Sequence, residues 1–231
     1  MRRIVIAIDG PAGSGKSTLA SRLARKLGYV NIESGAMYRA LGLKAIENDV
    51  AVDDEAALVK LAQESHISLE PRLEGNRVLL DAQDVSARVR EPDVTEAASK
   101  VSVHPQVRAW MVARQQEMGA QGGIVMEGRD IGTKVFPDAE VKIFLDAAPE
   151  VRGDRRFKQQ PGAVGQTQPE SVLKELRERD QRDRTRATSP LKPAADAVII
   201  DSTNMGIEEV VARVEEIIAA KIGSSGDRVI R

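Results

Sequence analysis

The chain contains no cysteine. That excludes disulfides and thiolate chemistry and suits a reducing cytoplasm. Aromatic residues make up only 3% of it, with one tryptophan, two tyrosines and three phenylalanines. So sparse a set argues against a base-stacking platform for long single strands of nucleic acid. An excess of charge of one sign is lacking too: 34 basic residues face 35 acidic ones, a net charge of −1. No global field therefore draws the protein to nucleic acid or to a membrane surface. No apolar stretch reaches the length of a membrane span. The apolar run Ile4–Ile8 behind Met1-Arg2-Arg3 has the outline of a signal peptide, but Asp9 and Gly10 end it too early. The two histidines, His66 and His104, are far apart and form no metal-ligand pattern. Neither Gly-x-Ser-x-Gly nor His-Glu-x-x-His occurs.

What is present is concentrated near the start. Gly10-Pro11-Ala12-Gly13-Ser14-Gly15-Lys16-Ser17-Thr18 follows the apolar run, and a helical pattern, Leu19 to Leu27, comes next. Strand, Gly-x-x-x-x-Gly-Lys-Ser, helix is a phosphate-binding loop in the context it requires. Its glycines let successive backbone N–H groups turn inward as an anion-binding nest. The following helix points its positive end at the same spot. Lys16 reaches the outer phosphates and the Ser17 hydroxyl can ligate Mg²⁺. The motif predicts binding of a nucleoside triphosphate.

The 231 residues, 42% of them apolar, suffice for one substantial core with a small appendage. Tyr29–Ile32, Gly123–Met126, Val141–Leu145 and Ala197–Ile200 read as further strands. The middle two are almost continuously apolar, as strands buried on both faces should be. Helical patterns cover Gly35–Glu47, Glu55–Glu64, Gln106–Met118, Pro149–Lys158, Pro169–Arg184 and Ile207–Ala220. The alternation predicts a doubly wound α/β fold with a parallel five-stranded sheet flanked by helices. One region breaks it. Ile67–Glu70 and Arg77–Leu80 are strand-like and separated by the turn signal Gly75-Asn76. An inserted β-rich module is expected over about 66–92. Gly223-Ser224-Ser225-Gly226 reads as a linker-like tail.

Three further constellations carry charge to strand ends or helix starts. Glu33-Ser34-Gly35-Ala36-Met37-Tyr38-Arg39 follows the second strand, where an open α/β sheet presents its ligand crevice. Ser34 is either a helix cap or a site residue, and Arg39 either a solvated side chain or a phosphate contact. Glu127-Gly128-Arg129-Asp130-Ile131-Gly132 follows a buried strand. There Arg129 suits a phosphate through its fork of donors, and Asp130 can accept from an exocyclic amine or pair with an arginine. The alternative is an ordinary charged turn. In Arg177–Arg186, five arginines fall within ten residues without a lysine. Mixed charge on a helix usually means a solvated face, but arginine is also preferred where phosphate charge must be gripped. Helical spacing puts Arg179, Asp183 and Arg186 on one face, a candidate cationic flap. Arg155 and Arg156 on the preceding helix could meet it, with Gly162-Ala163-Val164-Gly165 as hinge or tip.

A switch GTPase should show Asp-x-x-Gly and [Asn/Thr]-Lys-x-Asp, and an ABC-type ATPase a Leu-Ser-Gly-Gly-Gln-like stretch; none is present. A small-molecule phosphotransferase fits better, with a non-catalytic nucleotide-dependent binding protein as the rival. The loop at 10–18, E-S-G-A-M-Y-R (33–39), E-G-R-D-I-G-T (127–133), V-F-P-D-A (135–139), K-I-F-L-D-A (142–147), R-E-R-D-Q-R-D-R-T-R (177–186) and D-S-T (201–203) closely resemble bacterial cytidylate kinase, over about residues 3–221. The resemblance implies transfer of the ATP γ-phosphoryl group to CMP or dCMP, with Mg²⁺, in a cytoplasmic monomer. Another nucleoside monophosphate such as UMP is the alternative acceptor.

It also implies one kinase domain over 1–221. The core would be 1–34, 100–150 and 190–221, with an acceptor-binding region carrying the β insert over about 35–99. A short helical lid would span about 151–189, and a flexible tail 222–231. By the same resemblance Gly10 to Thr18 would hold ATP. Ser34, Arg108 and Asp130 would read cytosine, next to Tyr38. Arg39 and Arg129 would grip the CMP phosphate, and Ser99, Arg179 and Asp183 would contact the sugar. Arg186 would sit near the acceptor, and Arg155, Arg156 and Arg182 near the transferred group. Lys16, Arg129, Arg182 and Arg186 are the expected catalytic set. Glu127 is given no settled role.

Overall fold

The computed structural model describes residues 3–72, 75–158 and 169–226. The expected hinge at Gly162–Gly165 lies outside them. Five strands, β1 (Val5–Asp9), β2 (Val30–Glu33), β6 (Ile124–Gly128), β7 (Val141–Asp146) and β8 (Val198–Asp201), form one sheet in the order β2-β6-β1-β7-β8. Every pairing in it is parallel. The helices are α1 (Lys16–Leu27), α2 (Ser34–Glu47), α3 (Glu55–Gln63), α4 (Pro92–Val101), α5 (Pro105–Gly119), α6 (Pro149–Lys158), α7 (Pro169–Thr185) and α8 (Ile207–Gly226). Local chemistry fixes several ends. Proline opens α4 and α5, where its missing N–H has no helical partner to lose. The Asp54 side chain caps α3 by accepting from the Ala57 N–H.

The insert is an antiparallel sheet of β3 (Ile67–Pro71), β4 (Asn76–Leu80) and the short β5 (Gln83–Asp84). It shares a core rather than standing apart. Ile67, Val78 and Leu80 pack with Met37, Leu41, Leu58, Val94 and Met111 from the surrounding helices, and Trp110 lies half-buried against that cluster. A second cluster sits between the sheet, α1 and α8; a third joins α5 to the sheet's other face.

The sequence reading ends each strand of the parallel sheet at its last apolar residue. The strands continue one or two residues further, to Asp9, Glu33, Gly128 and Asp201, because backbone pairing needs no apolar side chain. Those added residues face each other in register, Asp9 beside Gly128 and Glu33 beside Glu127. The tail expected from 222 starts inside α8, which runs through Gly226. Helix α4 was not among the expected helices, although Val94, Ala97, Ala98 and Val101 follow helical spacing. Its buried face is mostly small residues, Ala97, Ala98 and Ser99 among them.

Candidate active site

The loop after β1 wraps the start of α1. Gly13 and Gly15 have φ of 75° and 98°. A Cβ on Gly13 would stand 2.8 Å from the Arg152 carbonyl, so glycine is required there on two counts. Lys16 is buried, and its Nζ donates to the Pro11 carbonyl at 2.6 Å. Burial pulls its pKa down to about 7. The neighbouring charges of Arg129 and Arg179 add to that, against Glu127 and Asp9. A polyphosphate would supply the negative charge this lysine lacks.

Carboxylates at the strand ends organise the floor. Asp9 accepts from the backbone N–H groups of Ile131 and Gly132, at 2.8 and 2.7 Å. Burial still lifts it to about 6 against those two bonds. Asp9 thereby ties the phosphate-loop strand to the turn that carries Arg129 and Asp130. Glu127 accepts from the Ser17 hydroxyl at 3.0 Å. Glu33 is raised by burial first and by the charge of Glu127 second.

The other side of the cavity is built on α2, α5 and α7. Ser34 does not cap α2: it is the first helical residue, and its hydroxyl donates across to the Glu127 carbonyl at 2.7 Å. Arg108 and Asp130 form a buried ion pair, and Arg108 also donates to the Ser102 carbonyl at 3.0 Å. Its guanidinium lies 5.6 Å from the centre of the Tyr38 ring. Burial pushes the Tyr38 hydroxyl up to about 12. Arg39 faces Glu33 at 3.7 Å. Arg129 donates to Asp183 at 2.9 Å, and Arg186 stands 3.6 Å from Asp183 and 4.0 Å from Asp130. Against its burial, Asp183 is held below the usual carboxylate range by Arg129, Arg179 and Arg186. Arg179 drops to about 10, through burial and then the charge of Arg129, and its Nε is buried without a partner.

These groups open onto one cavity of about 520 Å³. Ala12 to Thr18 line one end; Ser34, Tyr38, Arg108 and Asp130 line the other. Lys16, Arg39, Arg108, Arg129, Arg155, Arg156, Arg179 and Arg186 face Glu127, Asp130 and Asp183, eight cations against three carboxylates. That excess specifies anionic ligands. Four expected site residues do not line it. Gly10 and Pro11 shape the loop from behind. Ser99 and Arg182 bond each other, Arg182 Nε to Ser99 Oγ at 3.2 Å. Arg155 lines the wall while donating to the Ser202 carbonyl at 2.8 Å and to its hydroxyl at 3.1 Å.

Sequence reasoning passed over Asp9, Glu33, Arg152, Asp180 and Ser202. Asp9 was findable as the one acid ending the strand before the loop. Arg152 was not. It donates to the Ala147 carbonyl at 2.8 Å and to the Ala12 carbonyl at 3.0 Å, and pairs with Asp180 of α7 at 2.6 Å. Asp180 reads as surface charge in the mixed-charge helix α7, and nothing in the spacing links it to Arg152 on α6.

A parallel sheet whose phosphate loop and arginine-lined recess share one cavity defines a P-loop kinase for a small anionic acceptor. The comparisons narrow the class. The chain belongs to the cytidylate kinase family, whose model matches residues 6–220. It is 49% identical to the cytidylate kinase of Enterococcus faecalis, over 96% of this chain and 98% of that one. With the cytidylate kinase of Pasteurella multocida it shares 46%, over 91% and 93%. Among solved structures, an uncharacterized protein from Eubacterium ventriosum aligns with a TM-score of 0.50 at 11% identity, over 94% of this chain and 98% of that one; this likeness concerns the fold alone. Among the described residues, no helix is long and apolar enough to cross a membrane.

Proposed function

We propose that the protein transfers the γ-phosphoryl group of ATP to the α-phosphate of CMP or dCMP, giving CDP or dCDP and ADP. The observation that carries this reading is the single cavity joining the phosphate loop to Arg39, Arg129, Arg179 and Arg186. The acceptor oxygen is already anionic, so no general base is needed. What the protein must do is bring two polyanions together and stabilise the charge spread over the transferring group. Lys16, Arg129 and Arg186 line the cavity and do this directly; Arg155 and Arg156 serve the donor. Arg182 reaches the transferring group only if it leaves Ser99. Ser34, Arg108 and Asp130 offer the acceptor and donors that match the cytosine edge, with Tyr38 beneath Arg108. Arg179 and Asp183 take the sugar, joined by Ser99 once Arg182 releases it.

Mg²⁺ fits the donor set. Ser17 and Glu127 place two hard oxygens side by side at the loop. Among the described residues no group of three or more His, Asp or Glu is poised to hold a metal. Mg²⁺ usually takes one or two protein oxygens and relies on phosphates and water for the rest. Bound with ATP it would neutralise the phosphate oxygens. Residues 35–99 act as the acceptor-side region and 151–189 as a lid that excludes water on closing. The protein works as a cytoplasmic monomer.

The test is an ADP-release assay with ATP and Mg²⁺ against CMP, dCMP, UMP, AMP, GMP, shikimate and no acceptor. Strong turnover with CMP and dCMP alone is expected. Turnover with another acceptor instead would discard the base-reading assignments. Hydrolysis without any acceptor would discard the transfer reaction.

A further inference from the structure

β2 is an edge strand of the five-stranded sheet, paired on one side with β6. Its other edge presents backbone groups next to the insert. One side chain answers them. Asn76, at the start of β4 and 4% exposed, accepts from the Glu33 N–H at 3.0 Å through Oδ1. Through Nδ2 it donates to the Asn31 carbonyl at 2.9 Å. One amide thus does what a neighbouring strand would do, satisfying a donor and an acceptor two residues apart. Gly75 beside it, at φ 76°, lets the chain pass close: a Cβ there would stand 2.8 Å from Glu33 Oε1.

What Asn76 fixes is the last residue of β2. Glu33 is followed at once by Ser34, whose hydroxyl spans to the Glu127 carbonyl, and by the first turns of α2 with Tyr38 and Arg39. Arg39 in turn faces the Glu33 carboxylate. Asn76 itself does not line the cavity. We propose that Asn76 is a positioning residue for the acceptor half of the site: it couples the inserted sheet to Ser34 and Arg39 through the Glu33 backbone. The proposal rests on the assignment of that half to the nucleoside monophosphate. The donor half hangs on the loop after β1, which Asn76 does not touch, so the effect of losing it is one-sided.

The experiment compares wild type, Asn76→Ala and Asn76→Asp in steady-state assays that vary CMP and ATP separately. For Asn76→Ala, which loses both buried hydrogen bonds, the KM for CMP should rise about tenfold, while the KM for ATP stays within about twofold. Equal rises for both substrates, or no rise in either, would overturn the proposal. If Asn76→Ala does not fold, Asn76→Asp decides. Its carboxyl still accepts from Glu33 N–H but meets the Asn31 carbonyl without a donor, and it joins Glu33 and Glu127, with Arg39 and Arg90 as the facing cations. Its KM for CMP should therefore rise above that of wild type while its KM for ATP stays within about twofold; equal rises for both substrates, or no rise in either, would overturn the proposal. Wild type inactive with CMP would instead sink the functional reading, a separate outcome.

Discussion

At the scale of single residues, Lys16, proposed to serve the chemistry, is costly for the fold without nucleotide. Its pKa is near 7 when folded against 10.5 when unfolded. Between those values the unfolded chain carries the proton and the folded one does not. The residue's contribution to stability therefore rises with pH across that window and is least favourable below about 7. Lys16→Met should cut kcat by about 10²–10³-fold. In melts without nucleotide it should also raise Tm at neutral pH, and the gain should shrink toward pH 10; a gain that did not change with pH would refute the linkage. Asp130→Asn should narrow the preference for CMP over UMP while keeping a hydrogen bond to Arg108; an unchanged ratio of kcat/KM values would count against its base-reading role. Lys16 and Asp130 were legible because their motifs are local. Arg152 and Asp180 were not, because their meaning lies in a contact between segments that no spacing rule connects.

At the scale of elements, α7 is anchored to the phosphate loop through the buried pair Arg152–Asp180. Asp180→Ala would leave a buried guanidinium unpaired, a loss of about 3–5 kcal/mol readable in urea unfolding. Replacing both partners, Arg152→Met with Asp180→Leu, should recover most of that stability. It should raise the KM for ATP, since the Ala12 carbonyl then loses the donor that Arg152 supplies. A double variant with normal KM would show the clamp to be structural only. The sheet, its parallel sense and the insert's hairpin were readable from apolar runs and one turn signal. Helix α4 was passed over although Val94, Ala97, Ala98 and Val101 recur at helical spacing; the strand ends were not readable, because apolarity stops before pairing does.

At the scale of the whole molecule, a chain of net charge −1 concentrates eight cations at one cavity. Filling it should stabilise the fold. ATP at about 100 times its Kd would add about 2.7 kcal/mol, a rise in Tm of roughly 5–10 °C for a chain of this size. Thermal scans with and without ATP check this, and an unmoved transition would mean the cavity does not take the nucleotide. The scarcity of aromatic side chains has a consequence of its own. Trp110 is the only tryptophan, and it rests on the core shared by α2 and the inserted sheet. Its emission colour and quenching report on this core, which belongs to the proposed acceptor half. Movement there can be followed in stopped flow with light and no dye, against almost no background from the rest of the chain.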